Sequence, residues 1–125
     1  MIFQKYILKG ILFICSTLLI SSCVQRTKEQ KVDFFVDARN IENVNSIGVR
    51  GSTPPLNWNQ NFELKDDNND SIYTGTIVFD IPYDFVELKL VKNEDQFELN
   101  NQPNRRLIFD KSGKTKYQLK FDQNE

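Results

Sequence analysis

Apolar residues in this chain recur at every second position, in short runs bounded by turn-forming residues. Val32, Phe34, Val36 and Ala38 share one face, while Lys31, Asp33, Asp37 and Arg39 share the other, with Phe35 alone breaking the polar side. Side chains of an extended strand alternate between faces, so this pattern specifies a half-buried strand and is incompatible with a helix. It returns in Val86, Leu88 and Leu90, set against Glu87 and Lys89, and in Tyr117, Leu119 and Phe121, set against Lys116, Gln118 and Lys120.

Shorter runs fit between these. Ile47 and Val49 lead to Gly51; Phe62 to Lys65 is brief; Ile72 to Phe79 is rich in Thr, Ile, Val and aromatics, which suit a pleated surface. Phe97 to Leu99 and Arg105 to Phe109 complete the set. The breaks are chemical: Pro54 and Pro55, Asp66 to Ser71, Pro82, Asn100 to Asn104, and Lys111-Ser112-Gly113. Short strands at this spacing predict an all-β fold, an immunoglobulin-like antiparallel β-sandwich of about seven to eight strands.

The start of the chain is of another kind. Lys5 and Lys9 precede an almost wholly apolar Ile11 to Ile20, then Ser21, Ser22 and Cys23. A basic start, a short apolar stretch and small residues are the parts of an export signal. The stretch falls short of the roughly 20 apolar residues of a spanning helix. Ile20-Ser21-Ser22-Cys23 resembles the bacterial lipobox. That resemblance implies a signal peptide over residues 1–22, acylation (palmitate among the chains) of Cys23, and a membrane-held protein of the bacterial envelope, on the periplasmic or the surface face. The alternative is an ordinary secretory signal with an unrelated cysteine. Residues 23–31 read as the lipidated cysteine and a polar tether, and 32–125 as one domain. Cys15 would leave with the signal, so no disulfide could form within the mature chain.

Composition narrows the function. Of 16 basic residues two lie in the signal, leaving 14 scattered among 17 acids, which is not the footprint of a nucleic-acid binder. The chain has no histidine. That removes Ser-His-Asp and Cys-His nucleophilic sites and the usual zinc sets. A glycosidase with two carboxylates remains open on composition, but no acid sits in a recognisable motif. Asp66-Asp67-Asn68-Asn69-Asp70 offers hard oxygen ligands for calcium, yet lacks the glycine and distal glutamate of an EF-hand loop and reads as a solvated turn. Arg105-Arg106 could grip an anion, although alternation sends the two to opposite faces. No cofactor and no metal are expected.

An ordered series from Ser46 to Phe109 resembles the starch-binding domains, the family-20 and family-48 type of carbohydrate-binding module. Val49-Arg50-Gly51-Ser52 stands where that family has a strand ending in glycine. Leu56-Asn57-Trp58 matches its Leu-Gly-x-Trp loop, one residue shorter, and Asp67 to Tyr73 its polar turn before an aromatic-bearing strand. Glu87-Leu88-Lys89-Leu90-Val91 matches a Glu-Tyr-Lys-Phe strand; Phe97-Glu98-Leu99 and Pro103-Asn104-Arg105 match a Trp-Glu and Pro-Asn-Arg segment. The resemblance implies non-catalytic binding of a starch-like glycan. Trp58 would stack on the apolar face of a glucose ring, Phe97 would stand at or beside a second aromatic position, and Lys89, Asn104 and, more weakly, Glu98 would bond hydroxyls. The family carries two tryptophans where this chain has one, and two further residues lie between Phe97 and Asn104. The alternative is a structural or protein-interaction module, of the spacer kind found beside hydrolases, in which Trp58 and Phe97 anchor a partner protein in the envelope.

Overall fold

A computed structural model describes residues 26–124. Among them the fold is all-β: β1 (Lys28–Asp37), β2 (Ile47–Gly51), β3 (Phe62–Glu63), β4 (Ile72–Ile81), β5 (Phe85–Lys92), β6 (Gln96–Phe97), β7 (Arg105–Ile108) and β8 (Lys114–Lys120). The strands make two sheets. One has the order β4-β1-β8; the other runs β3-β2-β5-β6, with β7 also on β5. Residues 1–22, expected to form a signal peptide, and Cys23 lie outside the described residues.

The alternating faces meet as a core. Val32, Phe34 and Val36 of β1, Ile77 and Phe79 of β4 and Leu119 of β8 oppose Ile47, Val49, Leu88, Leu90 and Leu107 of the other sheet, all nearly or wholly buried. Phe79 tilts on Phe109, and Phe34 meets Tyr117 edge-on, each pair with centroids 5.7 Å apart. Such aromatic contacts contribute about 0.5–1.5 kcal/mol beyond burial alone.

Two expectations need correction. The sandwich is not wholly antiparallel, because β8 runs parallel to β1, from Lys31 opposite Lys114 to Asp37 opposite Lys120. The folded domain begins before residue 32, because β1 begins at Lys28, opposite Ile81, so residues 28–31 are strand. Alternation persists there, but the core-facing position is Gln30, a buried polar residue that hides the pattern.

β6 and β7 are two pieces of one interrupted strand. Phe97 pairs with Val91 and Arg105 with Leu88, so eight steps along this strand match three along β5. The surplus projects as a bulge over residues 98–104. Most of the residues singled out for sugar binding lie on it or beside it.

Candidate functional site

The site lies on the outer face of the larger sheet. Two cross-strand rows form its floor. Gly48, Val91 and Phe97 make one row; Arg50 and Lys89 make the next. The loop carrying Trp58 folds back over β2, which requires Gly48. A Cβ at residue 48 would stand 2.7 Å from the Cβ of Asn61, closer than such atoms approach.

Arg50 fastens this loop. Its Nε donates to Asn61 Oδ1 at 2.6 Å, one Nη to the Trp58 carbonyl at 3.1 Å and the other to the Glu94 carbonyl at 2.7 Å. Asn61 Nδ2 donates in turn to the Asn93 carbonyl at 2.8 Å. The guanidinium also lies 5.2 Å from the Phe97 ring centroid, within range of a cation–π contact. The result brings Trp58 and Phe97 together, half-buried, with centroids 6.5 Å apart and planes inclined at 43°. Arg50, Asn61 and Gly48 thus build the site, and sequence reading did not assign them. The available signal was Val49-Arg50-Gly51, an arginine between two small or apolar strand residues.

Lys89 neighbours Arg50 and points out of the core as expected. Its Nζ donates to the Leu99 carbonyl at 3.1 Å and the Gln102 carbonyl at 2.9 Å, so it holds down the bulge. An ammonium has three N–H donors, which leaves one for a ligand. Asn104 is exposed on the β7 side of the bulge. It lines a separate groove of about 250 Å³ with Leu99, Arg106 and Tyr117. The structure therefore brings Trp58, Phe97 and Lys89 to one face, while Asn104 flanks another concavity.

Glu98 must be withdrawn as a sugar contact. Only 1% of it is exposed. Its Oε1 accepts from Arg105 Nε at 2.6 Å and Leu90 N at 3.0 Å; its Oε2 accepts from an Arg105 Nη at 2.9 Å and Asp122 N at 3.0 Å. Arg105 adds bonds to the carbonyls of Lys120 and Gln123 at 2.9 and 2.8 Å. The ion pair closes the base of the bulge and ties it to the end of β8. Arg105 and Arg106 do not form a joint anion grip, since Arg106 faces outward with its guanidinium 3.7 Å from the Phe85 centroid.

Other polar features are local. Asp66 caps its own turn, accepting from the backbone N–H of Asp70 and of Ser71 at 3.0 Å each, and Asp70 accepts from Ile72 N at 3.0 Å. A larger groove, of about 450 Å³, opens on the other sheet over Phe35 and Ile72. Its rim holds Asp37 and Arg39. The Arg39 side chain and its backbone N–H bond the Asp37 carboxyl and hold its pKa down at about 2.

Comparison with protein-family models gives no match to this chain. No curated protein matches it either.

Proposed function

We propose that this chain is a lipoprotein of the bacterial envelope, anchored through Cys23, whose immunoglobulin-like domain of starch-binding type holds a starch-like α-glucan without catalysis. One observation carries the glycan reading. Trp58 and Phe97, far apart in sequence, stand side by side and part-exposed, with Lys89 in the adjoining row and its ammonium turned to the bulge over residues 98–104. Tilted rings of this kind can follow the curved face of an α-linked chain. The indole N–H and the remaining Lys89 N–H would bond its hydroxyls. A site this shallow should bind in the micromolar-to-millimolar range, about −4 to −8 kcal/mol.

A second reading, a protein-interaction module, draws on a different observation. Arg50 already covers Phe97, and Lys89 spends two donors inside the chain. Partly sheltered aromatics whose adjoining cations are engaged within the chain also suit an interface anchor. Titration of residues 24–125 with maltoheptaose and β-cyclodextrin separates the readings. Trp58 is the only tryptophan, so its fluorescence has one source. The glycan reading expects a saturable change that Phe97→Ala removes. A flat response at millimolar sugar would leave the interaction module as the better account.

A further inference from the structure

The large apolar side chains exposed among the described residues are Val78, Tyr83 and Ile108, at 46%, 60% and 68%. All three lie toward the same end of the sandwich. Val78 stands opposite Lys31, near the start of β1. Tyr83 is in the β4–β5 turn, two residues beyond Ile81, which pairs with Lys28. Ile108 stands opposite Phe85 at the end of β7. Backbone bonds join these pieces: Phe109 N donates to the Asp84 carbonyl at 2.9 Å, and Lys31 N to the Gly113 carbonyl at 2.9 Å.

This is also the end where the chain enters the domain. Five peptide links separate Cys23 from Lys28, and they span at most about 18 Å in any conformation. The ten residues of β1 extend about 33 Å, so the opposite end lies beyond that reach. A lipid on Cys23 therefore rules out an inverted, far-end-down stance.

We propose that this end docks on the bilayer interface, with Tyr83 and Ile108 among the headgroups and the Trp58–Phe97 pair held outward. The inference rests on the lipid-anchor reading. An aromatic with a polar tip suits the interfacial zone, and exposed Lys28, Lys31, Lys111 and Lys114 surround it. Glu29, Asp80, Asp84 and Asp110 balance these lysines in number, so docking depends on apolar contact and tether rather than on anionic lipid. Phe97 pairs with Val91, six residues along β5 from Phe85, which sets the glycan face up to about 20 Å farther along the strand from the docked end.

The test uses the full chain, expressed in a bacterium that acylates lipoproteins and reconstituted in neutral phosphatidylcholine vesicles. Tyr83→Trp, and separately Ile108→Trp, are made with Trp58→Phe, giving one indole each. Flotation together with strong quenching of the new indole by brominated lipid, while Trp58 of the wild type stays unquenched, is the expected result. Flotation with the new indoles as open to aqueous iodide as in detergent-free delipidated protein would overturn docking while leaving the anchor intact. Failure of the wild type to float, with no acyl mass on Cys23, would overturn the anchor and docking together.

Discussion

The Glu98–Arg105 pair allows a prediction with a worked magnitude. Both side chains are buried, and Glu98 accepts four hydrogen bonds, from Arg105 twice and from the backbone of Leu90 and Asp122. Arg105→Met leaves a buried carboxylate with its charge unpaired. Breaking one side of such a pair costs about 3–5 kcal/mol. Glu98→Gln is near-isosteric, but its NH₂ would face N–H donors that the carboxylate oxygen now accepts, so its cost should fall in the same range.

A domain of this size has roughly 5–15 kcal/mol in total, so either change removes a large share. The urea midpoint should fall by at least about 1 M, since small domains have slopes of about 1–3 kcal/mol per molar urea. Unfolding of residues 24–125, followed through Trp58, is the assay. Glu98→Leu combined with Arg105→Met removes both charges and should cost less than the sum of the single changes. It cannot recover everything, because the N–H groups of Leu90 and Asp122 lose their acceptor, at about 1–3 kcal/mol for each one left buried. Singles that cost under about 0.5 kcal/mol, in the range of ordinary surface substitutions, would refute the structural role given to this pair.

Trp58→Ala should abolish the sugar-dependent response while changing the urea midpoint little, now read by circular dichroism; retained binding by calorimetry would remove Trp58 from the site. Gly48→Ala should push Asn61 and the Trp58 loop off β2, at a cost of about 1–3 kcal/mol, with a shifted Trp58 emission maximum. Unchanged emission would mean that the loop does not depend on that close approach. The Asp37 carboxyl should titrate at about 2 by NMR, against an ordinary 3.8. Because the folded value is the lower one, the pair with Arg39 stabilises the domain fully only above the unfolded value. That contribution fades as pH falls from about 4 toward 2, and Arg39→Ala should bring the titration back up.

What the sequence made legible follows from what alternation encodes. A period of two identifies a strand and its inner face, so the cores of β1, β5 and β8 were readable from Phe34, Leu88 and Leu119. It carries no information on strand direction, and the parallel pairing of β1 with β8 stayed hidden. A single polar residue on the inner face erases the pattern, as Gln30 does. The same blindness moved Glu98 to the wrong side: next to a two-residue strand, a glutamate offers no periodicity to place it. Its partner did offer one. Arg105, Leu107 and Phe109 alternate inward together, and a buried arginine needs an anion, which the nearby Glu98 supplies. The pairing of Trp58 with Phe97 depends on Gly48, which lets the Trp58 loop close on β2, and on Arg50, whose guanidinium reaches both the Phe97 ring and the Trp58 carbonyl; neither stands next to either aromatic in sequence. Motif order could propose both aromatics, but only the register of β2 on β5 and β5 on β6 brings them to one face. The bulge explains why Lys89 and Asn104 fared differently. Lys89 belongs to a regular strand whose outward direction alternation fixes, whereas Asn104 follows five residues that no strand partner constrains, and its position is set by the Glu98–Arg105 clamp beneath it.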